Sequence, residues 1–281
     1  MLAPGTLLEF AQVSLPGAPI IGQVDPEGRL VHLGKLEGWW DPPGGTGAKT
    51  PRSNAHGVYL GPAYYTERVI QLEARVDGFS QADSYATARR ILDAVPLNDL
   101  RELTVTENGE TWRAQVRQEG DPLILRKGNR VTVNVSLIAP DPLLYSAPST
   151  VFTGLPTTSG GLTLPLVLPL AVGATVSNGS LSINNTGTED SAPLMVVRGP
   201  CPPFTITDGT GRQLSYALPI AAGRTLVLDS ANRVALADGT TVRPVTGTWP
   251  VLRRGLNQLY FNAASYDPAA RLEVTYSSAR R

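Results

Sequence analysis

Few side chains in this chain are of the kinds that make and break bonds, and their spacing limits what they could do. Cys201 is the only cysteine, and His32 and His56 are the only histidines. A single thiol can neither close a disulfide nor supply a CxxC metal site, and a free cysteine is ordinarily buried. A His-based triad or metal site would have to use one of two residues. His32 falls inside a strand pattern, where it reads as a sheet-face residue, and His56 ends a long irregular segment, where it reads as solvated. Glu189-Asp190 is an acidic pair in a Gly/Thr/Ser loop; a glycosidase needs two carboxylates facing each other across a sugar, so solvated turn residues is the better reading. Gly44-Gly45-Thr46-Gly47-Ala48-Lys49-Thr50 imitates a phosphate-binding loop but fails it. Ala48 stands where the glycine before the lysine belongs, no hydrophobic strand leads in, and Pro51 follows. No GxSxG, HExxH or EF-hand pattern occurs. The expectation is a protein that is not an enzyme, with no metal and no cofactor.

The elements available to position side chains are mostly strands. In residues 128–145, GNRVTVNVSLIAPDPLLY, Val131, Val133, Val135 and Leu137 alternate with Thr132, Asn134 and Ser136, the period-two pattern of a strand with one buried face. Ala139-Pro140-Asp141-Pro142 then stops the ladder, because proline has no N–H and holds its predecessor extended. A helix precedes this junction, and only strands and turns follow it. The expected division is therefore 1–148 and 149–281.

At 281 residues, with 42% hydrophobic and 17% charged, the chain can bury two cores. Its 24 basic and 24 acidic side chains cancel, which argues against a polyanion-binding surface overall. Residues 1–148 carry 14 basic against 17 acidic groups, and the remainder carries 10 against 7. The first residues lack a basic n-region, and the longest apolar stretch, 162–172, is interrupted by Pro165 and Pro169 and is too short for a bilayer.

In the first domain a hairpin is expected around Asp25-Pro26-Glu27-Gly28. Residues 36–56 have no periodicity, two adjacent tryptophans and a Gly/Pro-dense middle, and are read as a long loop or arm. Two readings stand for Trp39 and Trp40: both cap the local core, or at least one anchors in a neighbouring subunit. An amphipathic strand over 68–77 leads through Gly78 to Ser80, placed to N-cap a helix over 81–94 whose stripe is Tyr85, Ala88, Leu92 and Val95. Asn108-Gly109 marks a tight hairpin, and Asp121-Pro122 and Lys127-Gly128-Asn129 mark further turns. In the second domain short strand candidates fall at 162–168, 180–183, 194–197, 204–206, 214–217, 225–228, 234–236, 248–252, 256–261 and 272–276, with Asp238-Gly239 the best hairpin signal. The fold class expected is mainly β: an N-terminal α+β domain, an antiparallel sheet or barrel with one helix and a long arm loop, followed by a β-sandwich.

Residues 68–138 followed by Ala139-Pro140-Asp141-Pro142-Leu143-Leu144-Tyr145 resemble the distal tail protein family of long non-contractile-tailed bacteriophages. The second half is similar to that family's galectin-like C-terminal sandwich, through Asn185-Thr186-Gly187-Thr188, Val196-Val197-Arg198-Gly199-Pro200 and Arg254-Gly255-Leu256-Asn257. The resemblance implies a structural virion protein, made in the bacterial host cytoplasm, that forms a hexameric ring joining the tail tube to the host-adsorption apparatus. The partners it implies are further copies of the chain, the tail tube protein, the tape measure protein and the tail-tip hub or receptor-binding proteins. DNA would only pass through the lumen, and no membrane insertion is implied. Candidate subunit-interface residues are Trp39, Trp40, Arg130, Thr132, Asn134 and Ser136, the last four because 130–138 is read as a sheet edge. The alternative is a carbohydrate-binding module reading a bacterial surface polysaccharide through Tyr216, Trp249, Tyr260 or Tyr266; no His-x-Asn-x-Arg sugar signature accompanies it. A cell-wall hydrolase is the remotest class.

Overall fold

The computed structural model describes residues 2–156 and 179–281. The chain divides into two compact units, Met1–Ala147 together with Arg280–Arg281, and Pro148–Ala279. The first unit contains β1 (Ala11–Ser14), β2 (Gln23–Val24), β3 (Leu30–Glu37), β4 (Gly45–Pro51), β5 (Val58–Tyr65) and β6 (Arg68–Asp77). It continues with α1 (Gln81–Asp93), β7 (Arg101–Glu107), β8 (Glu110–Lys127), β9 (Arg130–Ala139) and β10 (Leu144–Ser146).

An antiparallel sheet runs in the order β1-β7-β8-β9-β6-β3-β2, and a bridge between Val13 and Ile21 brings β1 back beside the chain leading into β2, so the sheet nearly closes. β6 and β9 pair in unbroken register from Arg68↔Ala139 to Asp77↔Arg130. Their period-two patterns put Ile70, Leu72, Ala74 and Val76 beside Val131, Val133, Val135 and Leu137 in one buried cluster. α1 covers that cluster. Its N-terminus is capped by Ser80, whose side chain accepts from Asp83 N at 3.2 Å, as the sequence predicts. The buried face is Ser84, Thr87, Ala88 and Ile91, with Tyr85 and Leu92 only partly buried. The expected stripe is thus rotated toward two hydroxyls, which is tolerable because both are bonded: Gly78 N donates to Ser84 Oγ and Thr87 Oγ1 donates to Asp83 O.

Two expectations are corrected here. No turn interrupts the chain at Asp121-Pro122. β8 runs through it as one 18-residue strand: its residues 110–116 pair with β7 and its residues 117–127 with β9, and a register shift between Glu119 and Leu123 within the β9 pairing accommodates the Asp121-Pro122 step. A bulge adds residues without ending a strand, so a proline there is admissible. Residues 36–56 are not a loop throughout: β3 extends to Glu37, and β4 pairs with β5 as a separate two-stranded sheet.

The second unit holds β11 (Ser149–Gly154), β12 (Ser180–Asn185), β13 (Leu194–Arg198), β14 (Phe204–Asp208), β15 (Gln213–Tyr216) and β16 (Thr225–Asp229). Apart from β22 (Ala279–Arg280), which ends in the first unit and joins neither sheet of this one, the remaining strands are β17 (Val234–Ala237), β18 (Thr241–Arg243), β19 (Thr246–Gly247), β20 (Gly255–Ala263) and β21 (Arg271–Tyr276). They form a six-stranded sheet, β11-β21-β13-β16-β17-β18, and a five-stranded sheet, β12-β20-β14-β15-β19. Met195, Val197, Leu226, Leu228, Leu272 and Val274 from the first and Ile183, Phe204, Ile206, Leu259 and Phe261 from the second share one core, the arrangement of a sandwich. The strand expected over 248–252 is absent; Leu252 is held by a bridge to Ser191 and by the Asn185 carboxamide, which donates to its carbonyl at 3.1 Å. The candidate at 162–168 lies outside the described residues. Among the described residues α1 is the only α-helix, and the molecule is mainly β.

Candidate interaction site

The hairpin β4–β5 has a composition that favours strand on one side only. Val58, Tyr59, Leu60, Tyr64 and Tyr65 are good strand formers, while Gly45, Gly47 and Pro51 opposite them are not. Every residue of both strands is exposed, with Leu60 at 74% and Tyr64 at 71%. An isolated two-stranded hairpin is marginal in water, and five large apolar side chains outside any core are unusual on a free surface.

The base of this arm is held by one buried cation. Arg68, first residue of β6 and 2% exposed, donates from Nη1 to the carbonyls of Gly38 (2.7 Å), Trp39 (3.0 Å) and Asp41 (2.7 Å), and from Nε to Pro142 O (2.8 Å). Burial lowers its pKa, and the nearby Arg280 lowers it further. One guanidinium therefore ties the start of the arm to the Pro-Asp-Pro segment after β9. That segment is self-bonded: Leu143 N and the Tyr145 hydroxyl both donate to the Asp141 carboxylate, at 3.0 and 2.7 Å. Burial, then the Asp141 carboxylate, raises the Tyr145 pKa.

The two tryptophans part company. Trp39 is 1% exposed and fills the core of its own unit. Trp40 is 42% exposed, lies 5.6 Å from the Phe10 ring, and donates from Nε1 to Glu107 at 2.7 Å. Phe10 is itself 66% exposed, so this pair forms a second apolar patch.

The reading of 130–138 as a sheet edge is wrong. β9 lies between β6 and β8, and both of its backbone edges are taken. Arg130 is engaged with Asp77 through two bonds of 2.8 and 2.7 Å, and Ser136 accepts from Gln71 at 2.9 Å. Thr132, Asn134 and Ser136 are half-buried on the polar face of the sheet. The open edge is residues 123–127 of β8, which pair with β9 on one side; β7 and β10 pair with earlier residues of that strand. Leu123 and Leu125 are exposed there. Alternation signals a strand, but its neighbours are chosen by distant segments, so edge and centre look alike in sequence.

Residues considered for sugar binding also separate. Tyr216 is buried in the sandwich core beside Phe204, and Trp249 packs partly against that core. Tyr260 and Tyr266 are exposed. Cys201 is buried, and burial pushes its thiol pKa up to about 12, so it is protonated and unreactive at neutral pH. Among the described residues no group of three or more His, Cys, Asp or Glu is placed to hold a metal ion. No described helix is long and apolar enough to cross a membrane.

No protein-family model and no curated protein matches the chain. Among solved structures, the fold is similar to the Dit protein of phage SPP1, described as a paradigm of hub adsorption apparatus in phages that infect Gram-positive bacteria. That likeness has a TM-score of 0.65 at 11% identity and covers 96% of this chain and 99% of that one. A chain of the phage P2 baseplate in its activated conformation with calcium matches with a TM-score of 0.50 at 11% identity, over 95% of this chain and 98% of that one. The resemblance to phage distal tail proteins read from the sequence thus holds at the level of fold.

Proposed function

We propose that the chain is a structural protein of a phage tail tip, located in the virion. Copies, six in this reading, close head to tail into a ring that joins the tail tube to the host-adsorption apparatus and leaves a lumen through which DNA passes. The observation that carries the reading is the fold match over nearly all of both chains. The exposed surfaces support it. A head-to-tail ring needs two different patches on each copy, one meeting the other on the next copy. The apolar hairpin arm and the open edge of β8, with the Phe10–Trp40 pair, supply patches of different chemistry on one unit. The sheet edge offers unpaired backbone groups, and the arm offers aromatic area. The tail tube, tape measure and tail-tip hub or receptor-binding proteins are the partners proposed on the two faces of the ring. No catalytic role is assigned to the chain.

Native mass measurement with negative-stain imaging of the purified protein tests this, alone and mixed with its tail tube protein. Closed rings of six are expected. A chain that stays monomeric in both conditions overturns the reading.

A further inference from the structure

In the second unit, two arginine-bearing turns stand at the same end of the five-stranded sheet. β14 ends at Asp208, which pairs with Leu259 of β20, and β20 begins at Gly255. Between the turns lies a cleft of about 330 Å³ lined by Arg212, Arg253, Arg254, Gln258 and the exposed Leu256.

Both turns are held by side chains whose bonding capacity they consume. Asp208, 8% exposed, accepts through Oδ1 from Thr210 N (2.9 Å), Thr210 Oγ1 (2.6 Å) and Arg212 N (3.0 Å), and through Oδ2 from Arg212 Nε (3.1 Å). Asn257 accepts from Arg253 N (2.9 Å) and donates to the carbonyls of Arg253 (2.7 Å) and Gly255 (2.8 Å). The one carboxylate lining the cleft is thus spent on its own turn. Among the described residues the guanidinium groups of Arg253 and Arg254 meet no carboxylate, although Arg198 and Arg224 of the same unit are each paired with one. The cleft therefore presents two guanidinium groups free of any described carboxylate, Arg253 and Arg254, beside Arg212, whose guanidinium is already paired with Asp208, on turns that lose little freedom when a ligand arrives.

Guanidinium forks match the planar oxygens of carboxylate and the oxygens of phosphate. Nucleic acid fits poorly, because the chain as a whole carries no net charge and no aromatic side chain lines the cleft for base stacking. The Gln258 carboxamide, without a side-chain partner among the described residues, suits a hydroxyl, and Leu256 suits the C–H face of a sugar ring. We infer that this cleft binds an anionic glycan, a hydroxylated polymer bearing repeated phosphate or carboxylate groups. The inference does not rest on ring formation, since the cleft lies within one unit of one copy.

Titration calorimetry of the full chain against a glycerol-phosphate oligomer, polygalacturonate, neutral dextran and duplex DNA tests it, with the first two probes separating phosphate from carboxylate. Binding of at least one of those two is expected, with none to dextran. The double variant Arg253→Gln/Arg254→Gln should weaken it about tenfold or more. Removing the same charge elsewhere in the unit, as Arg233→Gln/Arg243→Gln, should change it less than about twofold; if the first variant melts abnormally, Arg254→Gln alone carries the comparison. The inference is overturned if neither anionic polymer binds, if DNA binds as tightly, or if the two double variants lose affinity equally. Ring formation by the Arg253→Gln/Arg254→Gln variant should persist, which keeps this outcome separate from that of the assembly reading.

Discussion

β5 ends at Tyr65 and β6 begins at Arg68, yet the two strands live under opposite conditions. Every second residue of β6 is buried against β9 and α1, while all eight residues of β5 are exposed. Both are strand-forming by sequence. β6 is held by its own unit's core, at roughly 25 cal/mol for each Å² of apolar surface removed from water. The arm has its ladder, an Arg52 guanidinium 5.1 Å from the Tyr59 ring, the Arg281 guanidinium donating to the Tyr65 hydroxyl at 2.9 Å, and the Arg68 clamp at its root. Two segments rich in strand-forming side chains therefore yield one strand that stabilises the monomer and one, carrying Gly61-Pro62 at its middle, whose apolar area is left for something outside it.

This contrast can be broken by mutation. Leu72→Ala in β6 removes a side chain that is 1% exposed and should cost about 2–5 kcal/mol in urea denaturation. A loss under about 1 kcal/mol would mean the β6 core is not what holds this unit. Arg68→Met should cost less, about 2–3 kcal/mol, because the carbonyls of Gly38, Trp39, Asp41 and Pro142 lose a buried donor that water replaces in part. The same variant should show faster amide exchange through β4 and β5 than through β6, and uniform exchange would remove the clamp from the account.

Acid should act modestly on the body of the unit. The hydrogen bonds and charge of Arg29 hold the Asp83 carboxyl below its ordinary value, against the opposing effect of burial. A depressed folded-state pKa contributes stability that is present above about pH 4 and lost as pH falls through the folded value. Asp83→Asn should therefore flatten the decline of melting temperature below pH 4, and an unchanged acid limb would deny the ion pair any part in stability. Smallest for the monomer, and largest for assembly, are Leu60→Ser and Tyr64→Ser. Each should shift monomer stability by less than about 0.5 kcal/mol while reducing the fraction of rings seen by mass measurement. Unchanged assembly would sharpen the proposal by moving the copy-to-copy contact from the arm to the β8 edge.

Much of the fold was legible where the signal is local. The Ser80 cap, the alternation in β6 and β9, and the Asn108-Gly109 turn, with φ of 51° and 81°, all follow from neighbours within a few residues. The bulge in β8 was not, because Asp121-Pro122 is as compatible with a turn as with a register shift whose partner strand lies elsewhere. The arm was hidden for a related reason. Gly45, Gly47 and Pro51 weaken the strand signal of β4, and only pairing with β5 makes it a strand. The arginine cleft joins residues more than forty positions apart, and neither turn alone reads as a site.

By itself the sequence determined which segments are amphipathic, where the one described helix begins, and that the chemistry of nucleophiles and metal ligands is sparse, since these depend on residue identity and short-range spacing. Only the tertiary structure decided that β9 is a central strand and the end of β8 an open edge. It also decided that Trp39 is core while Trp40 is surface, and that Arg68 is a clamp. Adjacent residues on a strand point to opposite faces, and strands find their neighbours through contacts that local pattern does not encode.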